Sequence, residues 1–198
     1  AGLMFGMLNR GDYWQCAYLI PKGGADAERA KGVEAFRASV LVLSPWLGEH
    51  VNELRSFDDV KLLTVAVDRL TQWYKPGLLC IGDAAHAMSP IGGVGVNLAV
   101  QDAVAAANIL ASPLRERAVT SDHLRAVQQR RTLPMRVIQK IQVAIQNRFI
   151  VVLLSSTERP KAPWPVKLLN WFPPLRAIPA RLLGVGIRPE HIGTPDIR

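Results

Sequence analysis

The order of apolar and polar positions divides the chain into pieces with different periods. Residues 3–10 and 13–20 are short runs rich in aromatic and aliphatic side chains, Leu-Met-Phe-Gly-Met-Leu-Asn-Arg and Tyr-Trp-Gln-Cys-Ala-Tyr-Leu-Ile, parted only by Gly11-Asp12. Two strands joined by that turn dipeptide predict a β-hairpin. Pro21 and Gly23-Gly24 stop the second strand, and Asp26 is placed to cap a helix carrying Ala27, Ala30, Val33, Phe36, Val40 and Leu43 at helical spacing, ended by Pro45. A short helix over about 46–54 then leads to Val60-Lys-Leu-Leu-Thr-Val-Ala-Val67, which reads as a third strand of the same sheet. Three strands and a helix make an incomplete α+β module whose strand edges need cover.

From Gly77 the period changes. Gly77-Leu-Leu-Cys-Ile-Gly82-Asp83 is a continuous apolar run, the pattern of a buried strand in a parallel sheet, with Cys80 as a small core residue. A glycine-rich loop follows, then a helix over about 95–111 rich in Ala, Val, Leu and Ile. Thr120-Ser121-Asp122 caps another helix, which Pro134 kinks or restarts, and Ile138, Ile141, Ile145, Phe149 and Val152 continue its apolar stripe. Eight of the 14 prolines lie at or after Pro160, so the last stretch should be short helical pieces joined by turns that wrap the body. The expected fold class is α/β, as an α+β fragment. Its parts are a partial sheet and helix over 1–70, a strand, loop and helix over 71–112, and a helical, Pro-rich region over 113–198.

Composition removes several classes. The 198 residues are 49% hydrophobic and 20% charged, too apolar and too weakly charged for a disordered chain. Only Cys16 and Cys80 occur, which excludes a disulfide framework and makes a reducing, cytoplasmic compartment the expectation. The apolar cluster Phe149–Leu154 is far short of the roughly 20 residues of a spanning helix, so no transmembrane segment is expected. The first residues show neither a basic leader nor a small-residue cleavage site, so no export signal is expected. The net charge of +8 is uneven: residues 1–112 carry net −2 and 113–198 net +10. The basic residues of the tail are dispersed, which argues against nucleic acid and for a solvated face or a surface docking on an acidic partner. Trp164, Trp171 and Phe172, set between Lys161, Lys167 and Arg176, suit packing against another part of the protein better than peripheral contact with anionic lipid.

The stretch Gly82–Asp102 is where chemistry is expected. Asp83, at the end of its strand, is placed either to accept hydrogen bonds from sugar or ribityl hydroxyls or to cap the following turn. Gly92, Gly93 and Gly95 clear side chains from a helix N-terminus, where free N–H groups and the positive dipole end face an anion or a carbonyl gaining negative charge; the alternative is a tight turn. Other motifs fail. Leu98 stands where the dinucleotide fingerprint needs its third glycine, and no Walker lysine follows. His86 has Pro90 at i+4, His50, His123 and His191 lack zinc spacing, and Ser89 lacks a Gly-x-Ser-x-Gly setting, so neither a metal site nor a hydrolase is expected.

Gly82-Asp83-Ala84-Ala85-His86, Pro90-x-x-Gly93-x-Gly95-x-Asn97-x-Ala99 and Asp102-Ala103 together resemble the second flavin-binding motif of FAD-dependent monooxygenases of the para-hydroxybenzoate hydroxylase type. Arg69-Leu-x-x-Trp73-x-x-x-Gly77 and Tyr13–Lys22 are similar to the substrate-domain sheet that leads into it. The resemblance implies that Asp83 binds the ribityl chain, that Pro90, Gly92, Gly93 and Gly95 line the isoalloxazine, and that Val96 and Asn97 offer backbone N–H groups to the flavin N1–C2 edge. It implies FAD as cofactor, NAD(P)H as co-substrate, and oxygen transfer to a small organic substrate through a flavin C4a-hydroperoxide, with no side-chain nucleophile. A dehydrogenase or reductase of the same fold is the alternative within flavoenzymes; a non-catalytic docking protein using the basic tail is the alternative outside them. The family's Gly-x-Gly-x-x-Gly unit and middle Asp-Gly motif do not occur in the chain, so it is expected to be a carboxyl portion that needs an N-terminal FAD-binding half and is inactive alone.

Overall fold

The computed structural model describes residues 4–150 and 164–193. These form two compact units, one holding the chain up to Thr64 with residues 147–150, the other Val65–Gln146 with residues 164–193. The described structure mixes helices with two small antiparallel sheets, an α+β arrangement.

In the first unit, β1 (Met4–Asn9) and β2 (Trp14–Leu19) pair antiparallel from Met4 opposite Leu19 to Asn9 opposite Trp14. The expected hairpin is therefore present, its loop closed by the Arg10 N–H on the Tyr13 carbonyl at 2.9 Å with Gly11 at φ 98°. The single helix expected after Asp26 is instead two, α1 (Ala25–Ala30) and α2 (Val33–Leu43). Gly32 takes φ 86°, outside helical geometry, and breaks the run; Gly24 rather than Asp26 precedes the first turn, with Asp26 inside it. α2 buries Phe36 and Val40, with Phe5, Tyr18 and Phe57 packed against them and the Tyr18 and Phe36 rings edge to face at 5.2 Å. Burial of Phe36 contributes about 2 kcal/mol. A 3-10 segment, Pro45–Glu53, occupies the place of the expected short helix and adds Val51 to this core.

The expected third strand, Val60–Val67, does not form. No ladder partner pairs with it among the described residues; Val60 packs against the Phe36 core, while Leu62 and Leu63 are exposed. Only farther on does extended pairing begin, where the N–H groups of Asp68 and Leu70 bond the carbonyls of Ala87 and Ala85.

The second unit opens with β3 (Tyr74–Lys75) and β4 (Leu78–Leu79), paired antiparallel around Gly77 at φ 77°. This corrects the expectation of a buried parallel strand over 77–83. The chain folds straight back on Tyr74–Lys75, leaving Leu78 exposed and giving way to a turn at Gly82. Two long helices form the body, α3 (Val94–Arg115) and α4 (Ser121–Ile145), whose five-residue connection sets them as neighbours. α3 ends with the Ala118 N–H on the Pro113 carbonyl at 2.8 Å and Arg117 in the left-handed region at φ 53°. At the start of α4 the His123 ring Nδ1 accepts the Thr120 backbone N–H at 3.1 Å. α4 runs through Pro134 as one element. Val94 and Leu98 of α3 meet Ile138 of α4 in one core cluster, and Leu110 meets Leu124 and Val127 in another. Trp73, Ala85 and Met135 form a third, with Cys80 packed against it. By length and mean hydropathy (1.4) α3 would suffice to cross a membrane. Within this unit it serves as a core helix that carries a buried, ion-paired carboxylate. The later elements are α5 (Trp164–Trp171), a 3-10 turn (Pro173–Arg176) and α6 (Ala177–Gly184).

Candidate functional site: the Gly82 turn and the head of α3

Gly82 begins a 3-10 turn, Gly82–Ala84, and lies against α3. Its φ is +58°, and a Cβ built on it would stand 3.0 Å from the Ala99 Cβ. Both facts demand glycine: a side chain would strain the backbone and collide with the helix. The turn holds Asp83 out in solvent, and among the described residues its carboxylate has no hydrogen-bond or ion-pair partner. Pro90 opens the turn into α3, accepting the Gly93 N–H at 3.1 Å. Gly92 (φ 79°) and Gly93 (φ 63°) are successive left-handed residues that turn the chain into the helix. Because α3 starts at Val94, the N–H groups of Val94, Gly95 and Val96 precede its first i−4 bond.

Between these two pieces lies a groove of about 460 Å³. Ile81, Gly82 and Asp83 form one wall; Gly95, Val96, Ala99, Val100 and Ala103 of α3 form the other. Val96 and Val100, one turn apart, are 71% and 57% exposed, so α3 offers a bare apolar face beside a carboxylate and a positive helix end. A flat, partly polar ligand with hydroxyls and a developing negative charge suits that combination.

Beside the groove is a charge network whose centre, His86, Asp102 and Arg131, is buried. Asp102 on α3 is fully buried. Its Oδ1 accepts Arg131 Nε at 2.9 Å; its Oδ2 accepts both the Gly82 N–H at 3.1 Å and His86 Nε2 at 2.6 Å. Burial alone would raise its pKa; the hydrogen bonds from His86, Arg131 and Gly82 outweigh that and hold it below the ordinary carboxylate value. His86 is buried against Trp73, ring to ring at 5.1 Å, and among the described residues its Nδ1 has no hydrogen-bond partner. That orphan is cheaper as a lone pair than as an N–H, which assigns the donor proton to Nε2. Arg131 spends its other donors on the Arg188 carbonyl (3.2 Å), Glu190 Oε1 (3.2 Å) and Gln101 Oε1 (3.1 Å). Glu190 is also held by Arg130, at 2.6 and 3.1 Å.

Residues 184–193 are strapped along α3 by amide side chains of that helix. Asn97 donates to the Gly184 carbonyl, Gln101 to the Val185 carbonyl and Asn108 to the His191 carbonyl, while Asn108 Oδ1 accepts the Gly193 N–H.

Of the residues singled out in the sequence, Asp83, Gly95 and Val96 line the groove, and Pro90, Gly92 and Gly93 form the turn at its helical end. Asn97, four residues past the Gly93 cap, is where the i−4 bonds of α3 begin, so its N–H is not among the free groups expected to face the groove, and its side chain is turned to the strap. Sequence reasoning gave no role to His86 or Asp102 and did not find Arg131 or Glu190. A signal did exist for Asp102: it falls on the stripe of Leu98 and Ala105, where a carboxylate needs a buried partner. A second, open cleft of about 590 Å³, lined by Asp68, Arg69, Gln139 and Lys140 among others, takes in Arg69 of the stretch leading into the flavin motif but none of the residues between Gly82 and Ala103.

Comparison with known proteins now decides the family. Residues 18–141 match the family described as FAD binding domain, a match that takes in the Gly82 turn, α3 and most of α4. The chain belongs to the FAD-dependent monooxygenase family. It is 35% identical over 174 residues to 6-methylpretetramide 4-monooxygenase of Streptomyces rimosus, covering 86% of this chain and 41% of that protein. It is 29% identical over 128 residues to the FAD-dependent monooxygenase nodM of Hypoxylon pulicicidum, covering 62% of this chain and 27% of that protein. Against the FAD-dependent monooxygenase idtM of Claviceps paspali it is 32% identical over 127 residues, covering 59% and 23%. The chain thus spans well under half the length of these curated relatives. The groove fits the family's cofactor: a free carboxylate for ribityl hydroxyls, a glycine-cleared helix start for an anionic ring edge, and a smooth apolar wall for the ring face.

Proposed function

We propose that this chain forms the flavin-facing part of an FAD-dependent monooxygenase that uses NAD(P)H and O2 to hydroxylate a small organic substrate, releasing water and NAD(P)+. The observation that carries the reading is the single groove in which Asp83 stands opposite the exposed Val96–Val100 face and beside the head of α3. When bound, FAD supplies the redox and oxygen chemistry. The chain's own residues bind and orient. Asp83 accepts hydrogen bonds from the ribityl hydroxyls. The Val94–Val96 N–H groups stabilise negative charge at the flavin N1–C2 edge. Val96, Val100 and Ala103 keep water from one face of the ring. Oxygen transfer is favoured over simple dehydrogenation because several matched relatives are named monooxygenases. The adenine half of the cofactor needs a Gly-x-Gly-x-x-Gly unit, which these 198 residues lack.

The test is an absorption and fluorescence titration of FAD into the purified chain, alone and together with a polypeptide carrying such a unit. Weak binding alone and tight binding together is the expected result, and Asp83→Ala should weaken the tight complex about tenfold through loss of charge-assisted hydrogen bonds. Unchanged affinity in that variant, or no binding in either setting, overturns the reading.

A further inference from the structure

Glu190 lies 88 residues beyond Asp102 in sequence, outside the matched family segment, yet both clasp the same guanidinium. Arg131 is fully buried, and Asp102 and Glu190 are the carboxylates that neutralise it. Arg130 shares Glu190, so the cluster holds two guanidiniums against two carboxylates. Each carboxylate therefore sets where Arg131 can sit. Arg131 in turn fixes Asp102, whose other oxygen holds the Gly82 N–H, and Gly82 is the first residue of the turn that presents Asp83. The chain of bonds is short and direct: Glu190 Oε1 to Arg131 Nη1 at 3.2 Å, Arg131 Nε to Asp102 Oδ1 at 2.9 Å, Asp102 Oδ2 to Gly82 N at 3.1 Å.

We propose that Glu190 is a positioning residue for the Asp83 groove, acting through Arg131 and Asp102 on the Gly82 turn, so that the strap along α3 tunes flavin binding without touching flavin. This rests on the reading of the groove as the flavin site. Removing the Glu190 charge leaves Arg130 without its carboxylate beside Arg131, whose remaining ion-pair partner is the buried Asp102. Arg131 is then pulled between Asp102 and the repulsion of Arg130, and the Asp102–Gly82 bond loosens.

The test has one readout without flavin and one with it. In the flavin-free chain, Glu190→Gln should speed hydrogen exchange of the Gly82 amide about tenfold by NMR, since that amide is held by the network alone. In the FAD titration with the Gly-x-Gly-x-x-Gly polypeptide, Glu190→Gln should weaken binding about fivefold, and Glu190→Asp should recover part of the loss. Leu124→Ala, two turns before Arg131 on α4 and with no bond to the network, opens the Leu110–Val127 core and provides the comparison: it should lower overall stability and leave both readouts at wild-type values. Wild-type FAD affinity in Glu190→Gln alongside a loss in Asp83→Ala overturns the positioning role and leaves the groove assignment standing. A loss in Leu124→Ala as large as in Glu190→Gln also overturns it, because general destabilisation then explains the effect. No loss in Asp83→Ala removes the groove assignment, and the positioning role falls with it.

Discussion

Gly82 and Ala99 stand so close that a Cβ built on the glycine would lie 3.0 Å from the Ala99 Cβ. The contact locks the turn bearing Asp83 onto α3, and it gives a two-residue test. Gly82→Ala adds a methyl group to a packed contact, about 1–3 kcal/mol, and places a side chain in the left-handed region at φ +58°, about 1 kcal/mol more. Ala99→Gly removes the opposing methyl at a helix-propensity cost of about 1 kcal/mol. The double variant should therefore be more stable than the sum of the single losses predicts, by about 1 kcal/mol, as measured from urea midpoints. Strict additivity would show that the methyl contact is not what constrains the turn.

Asp102 gives the turn a pH dependence of defined sign. Its pKa in the folded chain lies below the ordinary value of 3.8: desolvation raises it, but the bonds from His86, Arg131 and Gly82 lower it further than that. A depressed carboxylate stabilises the fold fully above its unfolded pKa and ceases to do so as pH falls through the folded one. Asp102→Asn should cost about 3 kcal/mol at pH 7, because Arg131 is left with less buried countercharge. The stability gap between wild type and variant should hold down to about pH 4 and close below it. Asp59, also depressed by backbone N–H groups of Ser56 and Arg55, acts equally in both chains and cancels. Urea unfolding at stepped pH measures the gap; a gap that widened with acid would contradict the assigned role.

The local parts of the fold were legible in sequence, and the non-local parts were not. The hairpin followed from Gly11-Asp12 between two β-type runs, because a turn and its strands are neighbours in the chain. Val60–Val67 has the same strand-like composition, but strand formation needs a partner, and sequence does not say where one lies. The helix expected from Asp26 to Leu43 was split because a single residue, Gly32, adopts φ 86° inside an otherwise regular apolar period. The pieces around the groove were readable, since Asp83, Gly92, Gly93 and Gly95 lie within thirteen residues and the glycines mark the turn into α3. The network beside the groove was not: Arg131 and Glu190 look like ordinary tail charges until α4 and the strap are brought onto α3.

The left-handed Arg117 at the end of α3 is a local backbone cost, although its N–H reaches the Leu114 carbonyl at 3.2 Å. It sits exposed at φ 53° in a position where glycine is usual, while Ala118 reaches back to Pro113. Arg117→Gly should relieve the strain and raise stability by about 0.5–1 kcal/mol, net of the extra freedom glycine brings to the unfolded chain. Arg117→Ala keeps the Cβ and should bring no such gain. Thermal midpoints of the two variants decide it: equal shifts would mean that the side chain, not the backbone, is responsible.

Val96 allows fold and function to be separated in a single substitution. It is 71% exposed, in the first turn of α3, and lines the groove. Val96→Asp puts a carboxylate at the positive end of a helix, which should stabilise the fold by about 0.3–1 kcal/mol at low salt. The same charge occupies the position proposed for the anionic edge of the flavin and should repel it, weakening FAD binding about tenfold or more. Val96→Asn removes the apolar contact without adding charge and should weaken binding less. The loss in Val96→Asp should shrink as ionic strength rises, because an open groove is screened over about 10 Å at 0.1 M salt. A stabilised Val96→Asp chain that binds FAD as wild type would place the flavin edge elsewhere than the head of α3.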